Sequence, residues 1–163
     1  MESYNVSGGT YGAQTRSHII NQTDRSAMLS YHADADINTN PFELRLDRLV
    51  NLNVSHDFIG KKALAKIKTE GVKQSQIGLV LKCDPLEGPN TKFWTIKNGE
   101  QKVGRVTSAI YSPRLKKNIA LAMVSSKAVE KEVTLQVETS IGSFPAHIVD
   151  LPFYDPNKSI TKS

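Results

Sequence analysis

Residues 106–124 read Val-Thr-Ser-Ala-Ile-Tyr-Ser-Pro-Arg-Leu-Lys-Lys-Asn-Ile-Ala-Leu-Ala-Met-Val, two strand-like runs on either side of a sharply punctuated basic loop. Pro113 has no N–H to give to a ladder, so regular pairing must stop there. Arg114, Lys116 and Lys117 then hold the turn in solvent. Beyond it, residues 119–124 form the longest unbroken apolar run of the chain. Six apolar residues match one buried strand and fall far short of a membrane span. The feature therefore demands a central strand, and the rest of the chain has to supply its neighbours.

Those neighbours are visible downstream of residue 74. Ile77, Leu79, Leu81 and Cys83 alternate with Gly78, Val80 and Lys82, and residues 84–90, with two Pro and one Gly, break the run into a loop. Residues 93–96 and 103–107 flank Asn98-Gly99, a hairpin signal because both positions tolerate positive φ. Val133, Leu135 and Val137 alternate with polar residues, Ile141-Gly142 turns, and residues 144–151 return. Upstream, residues 60–71 carry the clearest helix. Ala63, Leu64 and Ile67 are its expected buried stripe, Asp57 its expected N-cap and Gly71 its expected left-handed stop. Residues 41–52 mix strand and helix periods and leave their type open. The fold class expected is mainly β with one clear helix, an α+β chain with a small antiparallel barrel of six or seven strands preceded by a short helical segment.

Composition narrows the function classes. A chain of 163 residues, 39% hydrophobic and 23% charged, is large enough for one real core and too ordinary for wholesale disorder. No membrane span and no signal-peptide pattern is present, so a cytoplasmic location is expected. A lone Cys83 allows no internal disulfide. His18, His32, His56 and His147 form no metal-ligand spacing, so no metal site is expected. Asp34 and Asp36, two apart in a polar loop, are no more than a loop acid pair. No Gly-x-Ser-x-Gly or His-Glu-x-x-His occurs, no self-contained catalytic constellation appears, and His147 inside an alternating strand reads as a structural histidine.

Charge is distributed unevenly. Residues 1–57 hold four Arg against seven acids, and residues 58–163 hold seventeen Lys and Arg against nine acids. The basic part can attract an anion. Its lysines are spread singly and no interleaved aromatics offer a stacking platform, so neither nucleic acid nor a membrane is an expected partner.

The run at 106–124 resembles the C-terminal barrel signature of the glycine cleavage T-protein (aminomethyltransferase) family. Asp-Phe-Ile-Gly-Lys-Lys-Ala-Leu at 57–64 resembles the family's helix entry. Phe-Pro-Ala-His-Ile-Val-Asp-Leu-Pro-Phe-Tyr-Asp-Pro at 144–156 resembles its closing strand. With Ser-Tyr-His at 30–32 and Asn-Pro-Phe-Glu-Leu-Arg-Leu-Asp-Arg at 40–48, the similarity spans about residues 20–157. Leu-Ser-Tyr-His-Ala-Asp, Asn-Pro-Phe-Glu and Leu-Asp-Arg are closest to the branch of tetrahydrofolate-dependent dimethylsulfoniopropionate demethylases.

The resemblance implies transfer of an aminomethyl or methyl unit from a small donor to tetrahydrofolate, a substrate and carrier whose glutamate tail is anionic. It also implies that a complete member is more than twice this length. The missing N-terminal half would supply most of the folate pocket and the acidic residue at the donor, so this chain alone is expected to be inactive, with those domains or a partner chain completing it. A non-catalytic barrel that binds a partner chain is the alternative. Residues 1–25, with Gly8, Gly9 and Gly12 among polar residues and no sustained period, are expected to be a poorly structured lead-in, and by the resemblance 26–72 are a remnant of the folate-binding region. Residues 73–157 are then the C-terminal barrel and 158–163 a tail. Arg25 and Tyr31 match folate-side positions, and Tyr111 and Arg114, in the loop of the signature block, are further candidates; no catalytic residue is assigned. Two departures stand out: a shortened approach to Tyr31, and Arg45 where relatives carry Gly, which matters if that backbone needs positive φ.

Overall fold

A computed structural model describes residues 29–128 and 133–154. Arg25 and the residues to either side of these spans lie outside the described residues. Six strands are formed: β1 (Gln74–Leu81), β2 (Trp94–Asn98), β3 (Gln101–Ser112), β4 (Lys117–Ser125), β5 (Thr134–Thr139) and β6 (Gly142–Val149). All neighbouring pairs are antiparallel, and the order β1-β4-β3-β2-β5-β6 closes on itself as a barrel. Closure leaves every strand with two partners, which satisfies the ladder groups that an open edge would expose.

The barrel interior is packed with Ile77, Leu79, Ile96, Val106, Leu135 and Val137, together with the small side chains Ala109, Ala120, Ala122 and Ala146. Period two accounts for β1 and β5, whose inward residues are those of the alternating pattern. β4 is different because it is buried on both faces. Ala120, Ala122 and Val124 point into the barrel, while Ile119, Leu121 and Met123 are also covered although they stand outside that cluster. On the outside, Asp34 bonds to Thr107 and Ser108 of β3 and Glu43 to Gln76 of β1, the two strands flanking β4, and the strap of residues 150–154 lies near Gly78. A Cβ on Gly78 would stand 2.9 Å from Leu151 Cδ2 and 3.0 Å from Phe153 Cε1. An unbroken apolar run thus marks a strand with packing on each side.

β3 departs from the regular pleat. Its register against β4 shifts between Val106 and Ser108, and its register against β2 passes from Gly104 to Lys102 as β2 advances from Ile96 to Lys97. Each shift places two residues opposite one, the mark of a bulge, which bends a strand and re-aims side chains. The inward positions are consequently Val106 and Ala109, three apart rather than two.

Local expectations are corrected in three places. The β2–β3 turn is centred on Gly99-Glu100, one residue later than Asn98-Gly99, since Asn98 pairs with Gln101; Gly99 takes φ 57°. The helix α1 (Lys61–Glu70) is capped by Gly60 at φ 93° with no side-chain cap, while Asp57 Oδ1 accepts from the Phe58 N–H at 3.0 Å. Ala63, Leu64 and Ile67 are not a buried stripe: no residue of α1 is buried, and α1 packs closely against none of the strands. Gly71 does end the helix with its N–H on Ile67 O, but at φ 80° and ψ 168° it is not in the expected left-handed helical conformation. The undecided segment at 41–52 is a set of turns around a short 3₁₀ piece, Asp47–Leu49.

Candidate functional site

The segment carrying Tyr31 is held against the barrel by one buried carboxylate. Asp34 is 4% exposed. Its Oδ2 accepts the Ser30 N–H at 2.9 Å, and its Oδ1 accepts the Thr107 hydroxyl and, at 2.9 Å, the Ser108 hydroxyl. Thr107 Oγ1 has a single proton and lies 3.1 Å from Leu121 O as well; the shorter, charge-assisted contact to Asp34 takes it. The β3 bulge is what lets two consecutive hydroxyls reach one oxygen, for on a regular strand they would face opposite sides. His32 at φ 70° tightens the loop and donates its N–H to Ala35 O at 2.7 Å. Tyr31 is presented outward, 62% exposed, with its ring centre 4.3 Å from that of His32.

Tyr111 lies within β3 rather than in the loop, half-buried and opposite Asn118. Three residues along β3 separate it from Ser108, the anchor of the Tyr31 segment. Arg114 stands in the β3–β4 turn with its guanidinium carbon 4.5 Å from the centre of the Tyr154 ring. The turn and the closing strap are thus joined by a cation–π contact. Tyr111 and Arg114 share one hairpin, and Tyr31 reaches it through Asp34.

Two buried asparagines shape the connection between β1 and β2. Asn118 Nδ2 donates to Cys83 O at 2.8 Å and Asp84 O at 3.0 Å, and its Oδ1 accepts the Leu86 N–H. Asn90 Oδ1 accepts the Ala109 N–H at 2.7 Å. Cys83 packs beside the core as a small filler, and burial pushes its thiol above the usual range while the Asn118 amide bond offsets part of that. Such a thiol stays protonated and unreactive at neutral pH.

A cleft of about 420 Å³ opens at the other end of β3, where the starts of β1 and β3 meet the end of β4. Lys73, Lys102 and Arg105 stand around it, Val103 and Met123 supply apolar wall, and Glu43 closes one side. Gly104 permits the approach of β3 to β4: a Cβ there would collide with Met123 O and come within 2.8 Å of Val124 Cα. No motif announces this cleft, since its residues come from four separate stretches. Asp34 went unrecognised for the same reason, its hydroxyl partners being 73 and 74 residues away.

The family model of the glycine cleavage T-protein C-terminal barrel domain matches residues 74–155. This chain belongs to that family. The T-protein barrel is therefore the part of the molecule formed by β1 to β6. Similar proteins include the aminomethyltransferase of Prochlorococcus marinus (strain NATL2A), 37% identical over 129 residues, which cover 79% of this chain and 34% of that protein. The aminomethyltransferase of Thermotoga maritima is 42% identical over 127 residues, 77% of this chain and 33% of that protein. Mouse mitochondrial dimethylglycine dehydrogenase is 33% identical over 126 residues, 77% of this chain and 14% of that protein. The crystal structure of the glycine cleavage system aminomethyltransferase T from Bartonella henselae shares the fold, with a TM-score of 0.72 at 20% identity over 82% of this chain and 37% of that one. The chain spans about a third of the length of the aminomethyltransferases it matches.

Proposed function

We propose that the chain is the C-terminal part of a tetrahydrofolate-dependent one-carbon transferase and is inactive without the portion that its relatives carry in addition. The observation that supports this most is the match itself: four-fifths of the chain aligns, outer segment included, with a third of each aminomethyltransferase. In such a reaction a folate nitrogen takes an aminomethyl or methyl carbon from the donor nitrogen or sulfur, so positioning and local charge set the rate. The chain's contribution is the exposed Tyr31 ring, a flat surface suited to a heteroaromatic ligand, with Arg25 as a further folate-side candidate and Tyr111 and Arg114 on the adjoining hairpin. Burial of Asp34 fixes where Tyr31 stands.

Relatives with different names, aminomethyltransferase and dimethylglycine dehydrogenase, share this barrel, so the donor is chosen elsewhere. Dimethylsulfoniopropionate as donor is supported by the Leu-Ser-Tyr-His-Ala-Asp, Asn-Pro-Phe-Glu and Leu-Asp-Arg motifs alone. A second reading, a non-catalytic barrel that binds a partner chain, is favoured by Ile37, Leu49 and Ile59, which stand exposed ahead of the barrel.

The test is titration of the chain with tetrahydrofolate by calorimetry and by NMR of the tyrosine rings. Saturable shifts of the Tyr31 ring at millimolar ligand are expected, with a binding heat that is reduced in Tyr31→Ala. Absence of both heat and shift at millimolar ligand overturns folate contact by this chain.

A further inference from the structure

The cleft at the start of β3 is set apart from the residues just assigned to folate. Arg105 and Arg114's turn are separated by seven strand residues, roughly 20 Å at the usual rise; the loop carrying Tyr31, anchored through Asp34 at Thr107 and Ser108, is nearer but contributes no residue to the lining. The charge of the cleft is mostly basic, with Asp36 near enough to Arg105 to feel its charge. Lys73, Lys102 and Arg105 are all exposed, and none has a carboxylate within ion-pair distance among the described residues, where the pairs found are Lys66 with Glu70 and Lys97 with Glu138. The one acid of the lining, Glu43, is 7% exposed and its Oε2 already accepts the Asn40 N–H at 3.0 Å. Arg105 is preorganised: its guanidinium carbon lies 5.2 Å from the centre of the Phe93 ring, which restrains a side chain that would otherwise be mobile.

Donors also exceed acceptors behind the lining. Gln76 is on the same face of β1 as Gln74, pairs with Met123, and gives its backbone N–H to Glu43 O at 2.7 Å. It is 2% exposed, and its Nε2 has no acceptor. A buried amide left unpaired is costly, so a donor-rich wall is a feature to be explained rather than ignored. Val103 and Met123 make the rest of the wall apolar, and the bulge at Val103 with Gly104 behind it gives the cleft its shape. A volume of about 420 Å³ lies in the range of small-molecule sites.

We propose that this cleft is a binding site for a small organic anion, one with an apolar body and two oxyanion groups, held by Lys73, Lys102 and Arg105 against Val103 and Met123. The apolar part is required because a bare inorganic ion would leave that wall uncovered. Two charges match three cations offset by one acid. The site is independent of folate binding at Tyr31, and either reading can fail alone.

The experiment is NMR titration of the 163-residue chain at low salt with benzene-1,3-dicarboxylate, followed at the Gly104 amide and the Met123 methyl. Benzene-1,3-dicarboxamide serves as the neutral isostere and inorganic phosphate as the bare anion. Saturable shifts with the dicarboxylate are expected, at least tenfold weaker in Lys102→Glu and in Lys73→Glu and weakened by added salt. Lys62→Glu and Lys68→Glu on α1, which change net charge equally, are expected to leave the affinity unchanged. The proposal is overturned by no saturable shift at 20-millimolar-scale ligand, roughly the weakest useful affinity, or by equal binding of the diamide. It is overturned equally if the α1 variants weaken binding as much as the cleft variants, or if phosphate binds as tightly as the dicarboxylate.

Discussion

Arg45 stands at φ 57°, in the left-handed region that disfavours any residue with a Cβ. The positive φ about which Arg45 raised a concern in the sequence is therefore present. Arg45→Gly is expected to stabilise the chain by about 0.5–1 kcal/mol, the relief of left-handed strain less the greater entropy of glycine when unfolded. Urea denaturation of the two chains checks it, and a loss of stability would show that the side chain has an offsetting role. Asp34→Ala leaves the Ser108 hydroxyl and the Ser30 N–H without their acceptor and turns the Thr107 hydroxyl onto Leu121 O alone. It should cost about 1–3 kcal/mol by the same assay. Asp36 is a pH reporter: the Asn38 N–H at 2.8 Å and the Thr39 hydroxyl at 3.0 Å hold its carboxyl below the ordinary value of 3.8. A depressed pKa means the stabilising contact is present above pH 3.8 and is lost as pH falls through the lower folded value. The Asn38 amide resonance should hold steady down to about pH 4 and move only below it. At this scale little was legible beforehand. Asp34 and Asp36 looked alike in a polar loop, and only the fold, bringing β3 against residue 34, makes one a buried clamp and the other a turn residue.

Elements were legible where one physical rule governs them. Alternation in β1 and β5, the proline-broken turn after β3 and the span of α1 follow from period and punctuation. What escaped is what depends on two rules at once. β4 is continuous in apolar residues because both faces are covered, and β3 carries bulges that no pattern of period two encodes. The stripe of α1 has the right spacing yet is only half covered, with Leu64 and Ile67 half-buried and Ala63 exposed, because amphipathicity states that a face wants burial without supplying a full partner. Ala63→Gln, at the exposed position of that stripe, should therefore change the stability of this chain by less than about 0.5 kcal/mol, the ordinary range for a surface substitution. Gly104→Ala should cost about 1–3 kcal/mol, since its methyl group meets the Met123 carbonyl and the Val124 backbone, which can yield only by moving β4. Thermal denaturation distinguishes the two, and equal effects would contradict this picture of the packing.

At the scale of the molecule, a closed barrel with a filled interior offers no internal reaction chamber, so its chemistry has to lie on its outer surface. Tyr31, Ile37, Leu49 and Ile59 are exposed in the segment ahead of the barrel, in a chain that spans about a third of the length of the aminomethyltransferases it matches. Exposed apolar surface of that kind marks an interaction site, and concentration-dependent association measured by light scattering is expected. A monodisperse monomer at high concentration would argue against it. The family was readable in sequence because three blocks preserve order and spacing; the donor was not. The most direct measurement replaces the matching third of the Thermotoga maritima aminomethyltransferase with this chain and assays tetrahydrofolate-dependent aminomethyl transfer. Turnover by the chimera, with none by the chain alone, is the expected result. A folded chimera that transfers nothing, or full turnover by the chain alone, contradicts the reading of this protein as the C-terminal part of a one-carbon transferase.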